Sequence, residues 1–257
     1  MRWAGVLMLV VASVIFLASS IGFAVAPALS FQRFSVMLPD LLGEAAGPAP
    51  GMARPTGIAL KILLAGVWLA VGLHALRCLL AEISRRTGPR THAMPLRENR
   101  LSVHLPFVIA LLAGAAWPWV AEQEGRIAGL ILSGVMVAAS LWHSLSRRHS
   151  AHHVTLRGGA DVFAGWAMVG LYAGFAAILV SDLGMSAGLA AIVSVLLMMA
   201  SAAEVQLRLG GSVGFSFAVI WALIGTAANA MQTELTVATA AIIAIAALVA
   251  VLVRVMS

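Results

Sequence analysis

One cysteine, one lysine and one tyrosine occur in the 257 residues, and each scarcity removes a class of explanation. Cys78 alone cannot close an intramolecular disulfide, so no covalent staple holds the fold. It lies in an apolar run and reads as a core residue. Lys61 stands among arginines, a codon-level preference that points to no function. Only 10% of the residues are charged, against about a quarter in a soluble domain. With 61% hydrophobic residues and a mean hydropathy of +1.00, the chain reads as a polytopic membrane protein. No acid falls in the middle of an apolar run, where a proton-coupled pump or ion transporter usually carries one. No phosphate-cradling glycine loop, zinc signature or serine elbow appears in a fitting context, so no enzymatic activity is expected. A net charge of +6 would suit nucleic acid. The basic residues flank apolar runs, however, so topology explains them and no nucleic-acid partner is expected.

Eight apolar runs are long enough to cross a bilayer: 5–27, 57–80, 103–121, 127–145, 158–180, 187–205, 213–229 and 237–253. The first exceeds the usual h-region of a signal peptide, so it is expected to be a retained helix; Ala26-Pro27-Ala28 as a cleavage site is the rival reading. A long Pro-, Gly- and Ala-rich loop follows to residue 56, and its stretch 31–42 mixes apolar and polar residues as a segment on the membrane surface does. Trp117-Pro118-Trp119 interrupts the third run, and Pro118 is expected to kink or end that helix. The expected fold is all-α: one integral membrane domain over 1–257, a bundle of about eight transmembrane helices.

Eight crossings return the chain to the side on which it begins. Arg33, Arg54, Lys61 and Arg126 then fall on one side and the other twelve of the sixteen basic residues on the opposite side. The basic side faces the cytoplasm, which places both termini inside and makes the protein a multi-pass component of a bacterial-type inner membrane. Three of the hairpins share a short acidic outer turn and a basic inner end, a pattern that charge bias alone produces.

The run 158–180 holds Tyr172, Trp166 and Asp161. Trp166, Gly170 and Gly174 fall on one helix face, and the GxxxG pair Gly170/Gly174 is expected to seat a neighbouring helix. Gly125/Gly129 and Gly210/Gly214 are similar small-residue pairs. Trp68, Trp166 and Trp221 lie near mid-span, away from the interfacial belt that Trp3 and Trp142 fit. A buried indole N–H needs a partner, so these rings either pack the core or line a pocket for a flat apolar molecule. His74 and His143 lie at similar depth on two helices and are candidate haem ligands, with Arg77 a turn from His74. Ordinary polar side chains at headgroup level are the alternative. The loop histidines His149, His152 and His153 lack a cysteine or acid at ligand spacing, so no metal site is expected there. Arg157/Asp161 and Glu204/Arg208 are i, i+4 pairs at helix ends.

Four short pieces, RPTG (54–57), AAW (115–117), AGW (164–166) and IWALIG (220–225), occur in order on successive predicted helices. In these the chain resembles the tryptophan-rich sensory protein and translocator protein family, specifically its longer bacterial branch, from Arg54 onward. The resemblance implies a five-helix unit, here 57–180 together with the first helix (1–56 also supplying the long periplasmic loop), and additional helices over 181–257. It also implies a non-enzymatic membrane sensor or binder of an apolar ligand, a tetrapyrrole among them, with Trp68, Trp117, Trp166, Tyr172 and Trp221 as ligand-binding residues. Leu63, Gly114 and Gly174 stand where the family pattern has a tryptophan and two asparagines that help shape its pocket. A structural or assembly subunit of a membrane complex and a carrier of a neutral solute are the rival functions. The expected partners are lipid, an apolar small molecule, and a second copy or a membrane complex.

Overall fold

The computed structural model describes residues 2–25, 53, 55, 57–87, 101–122, 126–146, 154–231 and 233–257. Among these the backbone forms eight long helices and no strand: α1 (Arg2–Val25), α2 (Ile58–Thr87), α3 (Leu101–Glu122), α4 (Arg126–Ser146), α5 (Val154–Ser181), α6 (Ala187–Leu209), α7 (Val213–Ala230) and α8 (Leu235–Met256). Each is long and apolar enough to cross a membrane. About 20 residues at 1.5 Å of rise cover a hydrocarbon core of about 30 Å. The protein is a multi-pass helical membrane protein. The surface segment 31–42, the acidic turn at 123–124, Gly125, and the loop histidines His149, His152 and His153 lie outside the described residues.

The order of packing divides the bundle in two. α1 packs on α3, α3 on α4, α4 on α5, α5 on α2, and α2 back on α1, which closes a ring of five. The remaining three helices form a layer: α8 packs on α6 and α7, α6 and α7 both pack on α5, and α7 also meets α2. Helix α5 therefore belongs to both parts, with α2, α4, α6 and α7 around it.

Helix α3 continues through Pro118, where the sequence leads one to expect a kink or an end. Proline lacks an N–H, and its ring crowds the carbonyl four residues back. That residue is Gly114. One position on, the Ala115 carbonyl accepts from Ser19 Oγ of α1 at 2.6 Å. A neighbouring helix thus supplies a hydroxyl where the helical ladder is disturbed, which is how bilayer-spanning helices tolerate proline.

The tightest helix contacts are made by glycines other than the GxxxG pair of α5. A Cβ on Gly165 would lie 2.6 Å from the Phe215 carbonyl oxygen and 2.8 Å from Ala218 Cβ of α7. One on Gly159 would run into the Ala70 carbonyl and lie 2.7 Å from His74 Cβ of α2. One on Gly214 would lie 3.0 Å from the Gly158 carbonyl. By contrast, Gly170 meets the Trp117 ring at 3.7 Å and Gly174 meets Leu130 Cδ1 at 3.6 Å, both ordinary contacts with side chains. The backbones come closest on the faces of α5 towards α2 and α7. Gly129 packs against Ala121, inside the α3–α4 hairpin.

The α6–α7 turn is tied down by polar groups. Gly210 closes α6 with φ 71, a left-handed conformation that glycine takes at no steric cost. Fully buried Gln206 donates from Nε2 to the Gly210 carbonyl at 2.7 Å and the Ser212 carbonyl at 2.9 Å. It accepts from Ser216 Oγ at 2.6 Å. Ser212 donates to the buried carboxylate of Asp161 on α5. At the opposite end of α6, the Glu234 carboxylate lies over Gly188 in the first turn, where unpaired backbone N–H groups favour negative charge.

Candidate functional site

The interior of the five-helix ring is filled by aromatic side chains in a continuous column. His104, Phe107, Gly114 and Trp117 recur on one face of α3, over about 20 Å of helix. Phe163, Trp166 and Gly170 recur on one face of α5. Phe107 meets Phe163 edge-on, with centroids 5.6 Å apart at 88°. Phe163 touches Phe16 of α1 at 5.3 Å and Trp166 at 5.6 Å. Trp166 meets Trp117 edge-on, 5.8 Å apart at 84°. These are the offset and edge-to-face geometries that ring quadrupoles favour.

The two glycines on these faces make room for the rings. A Cβ on Gly114 would lie 3.2 Å from both Phe16 and Phe163, and Gly170 sits under the Trp117 ring. The asparagine of the family pattern at position 114 would collide with the phenyl pair. In this chain rings fill that space instead.

Of the five aromatic residues expected to line a pocket, the structure brings Trp117 and Trp166 together. The other three act between helices. Trp68 Nε1 donates to Ser20 Oγ of α1 at 2.9 Å, Trp221 Nε1 donates to the Ala59 carbonyl of α2 at 2.8 Å, and Tyr172 bonds Ser201 Oγ of α6 at 2.5 Å. Trp119, 43% exposed, donates to Ser19 Oγ at 2.9 Å and meets Phe23 edge-on. Trp166 differs from these: it is 2% exposed, and its Nε1–H has no hydrogen-bond partner. A buried N–H left unmade costs about 1–3 kcal/mol, so this donor stands out against the satisfied indoles of Trp68, Trp119 and Trp221.

The column ends in histidines. His74 of α2, His104 of α3 and His143 of α4 are each 2% exposed or less. The His74 and His143 rings are 5.9 Å apart and those of His104 and His143 6.4 Å apart. His104 escaped the sequence reading because it lies one turn from a helix start, where headgroup-level residues are ordinary. Phe107 lies 5.2 Å from His74 and 5.2 Å from His143. Its ring is therefore centred on the plane midway between the two imidazoles, where a macrocycle ligated by both would have to lie. Haem ligation by this pair does not fit the observed packing. The side chain of Arg157 lies outside the described residues; in the Glu204/Arg208 pair the Arg208 guanidinium donates to the carboxylate at 2.7 Å on an exposed surface.

Residues 79–254, from the end of α2 to the end of α8, match the TSPO-like protein family. The chain belongs to the TSPO-like family. The matched region contains AAW, AGW and IWALIG, hence both tryptophans of the column. It begins after RPTG and after α1, so it takes in α3, α4 and α5 of the ring and all three helices of the layer. No curated protein and no solved structure matches the chain.

Proposed function

We propose that this TSPO-like protein is a non-enzymatic sensor that binds a flat apolar ligand at the Trp117–Trp166 seam of the five-helix ring. The observation that carries the reading is the partnerless Nε1–H of Trp166 among rings that meet it edge-on or tilted. Aromatic walls with one fixed polar group are what a small-molecule site needs: area for affinity and a donor for orientation. The ligand is then planar and carries a hydrogen-bond acceptor at its edge, a description that a tetrapyrrole meets. It enters by displacing rings, because Phe16 and Phe163 fill the space beside Gly114. Binding involves no chemical step.

The same proposal places both termini in the cytoplasm of a bacterial-type cell, on the basic asymmetry of the flanking residues. Single cysteines introduced at 84–100 into a Cys78→Ser background should then be labelled only from the cytoplasmic side of sealed vesicles.

Titration of the purified protein with a soluble porphyrin tests the binding reading. Saturable quenching of tryptophan fluorescence is expected. The tightness of the column around Gly114 favours a second reading, an assembly subunit with a purely structural core. Linear quenching without saturation, together with a stoichiometric co-purifying protein, would decide for it.

A further inference from the structure

Helix α5 carries a second face that the tryptophan seam does not use. At about 3.6 residues per turn, Ala160, Ala164, Leu171, Phe175, Ile178 and Asp182 line up along it. The packing changes along this face. Ala160 and Ala164 are 1% exposed or less, whereas Leu171, Phe175 and Ile178 are only half-buried and Asp182 is exposed. The face is sealed in one half of the bundle and open in the other.

The neighbouring helices account for the change. Gly174 meets Leu130 of α4 and Tyr172 bonds Ser201 of α6, so the open face looks out between these two helices. Both α4 and α6 pack on α5, but they scarcely touch each other. On the α4 wall, one turn from Leu130, a Cβ on Gly134 would meet nothing within 4 Å. The result is an apolar groove floored by Leu171, Phe175 and Ile178. From Leu171 to Asp182 it runs about 16 Å at about 1.5 Å of rise per residue. That is close to half of a hydrocarbon core of about 30 Å, the depth of one leaflet.

Two opposite charges stand at its mouth. Arg126, which opens α4, places Nη1 3.7 Å from Asp182 Oδ1, and both side chains are about half exposed. Ser181 Oγ donates to the same carboxylate oxygen at 2.9 Å. The Arg126–Asp182 contact is longer than a hydrogen bond, and an exposed pair of this kind adds little to stability. Both ions can therefore take a further partner while they stay side by side.

We propose that this groove binds one phospholipid of the leaflet on the side of the α5–α6 turn. One acyl chain lies along Leu171, Phe175 and Ile178, and a zwitterionic head sits at Arg126 and Asp182. Length and charge choose the occupant. The groove is one leaflet deep, closed at Ala164 and capped by ions, as an acyl chain joined to a head requires. A guanidinium holds a phosphate through two parallel N–H donors, and the carboxylate beside it accepts from an ammonium. A head with both groups satisfies both ions. A head with phosphate alone would set its charge against Asp182. The groove faces away from Trp166, so it stands whether or not the seam binds a ligand.

The test uses the full-length protein in detergent, stripped of lipid. Equal amounts of phosphatidylethanolamine and phosphatidylglycerol with the same chains are offered, and retained lipid is counted by native mass spectrometry. Preferential retention of one phosphatidylethanolamine per chain is expected. Arg126→Gln should lower that retention about three- to tenfold, the range of one charge-assisted hydrogen bond. Gly134→Leu fills the groove where the fold has room, and should lower retention with the head charges intact. Equal retention of the two lipids, or wild-type retention by Gly134→Leu, would overturn the proposal. Should a variant fail to fold, the wild-type protein still decides. In vesicles holding phosphatidylethanolamine with a photoreactive acyl chain, cross-links should concentrate at 171–178 and 127–141. Cross-links spread evenly over all the lipid-facing helices would contradict the site.

Discussion

The five-helix ring and the three-helix layer are built from equally apolar sequence yet fill their interiors differently. The ring encloses large rings: Phe16, Phe107, Trp117, Phe163 and Trp166 are each 2% exposed or less. The layer is built mainly on alanine, with Ala190, Ala202, Ala218, Ala222, Ala238, Ala241 and Ala244 buried to the same degree and Phe215 its one aromatic ring buried as deeply. In a bilayer, apolar burial gives no preference between helix and lipid, so packing decides. Small residues let backbones meet and fix one geometry. Rings hold helices apart and can re-stack around a guest. The layer and its seam with α5 are therefore the rigid support, and the ring is the adaptable part.

Four substitutions separate the two regimes, read as thermal stability in detergent. The largest effect is expected from Phe163→Ala, which removes the ring that touches Phe16, Phe107 and Trp166. A loss of about 3 kcal/mol or more is predicted, because a cavity in the column loses its packing contacts outright. Gly165→Ala comes next. Its new methyl would lie 2.6 Å from a backbone oxygen, and overpacking of this kind costs about 1–3 kcal/mol. Ser19→Ala removes the hydroxyl shared by Trp119 and the Ala115 carbonyl beside Pro118, with a loss of about 1 kcal/mol expected. Gly174→Ala should be neutral or stabilising by up to about 1 kcal/mol, since alanine is the better helix former and the site has room for a methyl. A large loss at Gly174 with none at Gly165 would reverse the assignment of the tight face.

Much of this was legible in the sequence, and the remainder has identifiable causes. Run length and charge placement suffice for eight spans, because the bilayer fixes helix length. The central place of α5 could be read from its glycines and its lack of a polar face. Which glycines meet backbone could not. Gly159, Gly165, Gly170 and Gly174 look alike in sequence, and only the position of α2 and α7 distinguishes them. Helical spacing likewise puts a tryptophan at mid-depth without naming its neighbour. Trp68 and Trp221 prove to bridge helices through Ser20 and the Ala59 carbonyl. His104 and Gln206 were hidden by their nearness to helix ends, where burial depends on partners far away in sequence.

Binding of a porphyrin probe by Trp166→Phe tests the central claim most directly. Phenylalanine keeps an aromatic ring in the column and deletes the N–H. If that donor is held for a ligand, the substitution should weaken binding about three- to tenfold, the worth of one hydrogen bond. It should leave the ligand-free protein as stable as before or more so, because a buried unsatisfied group is gone. Unchanged affinity, or a destabilised protein that binds as wild type, would contradict the account.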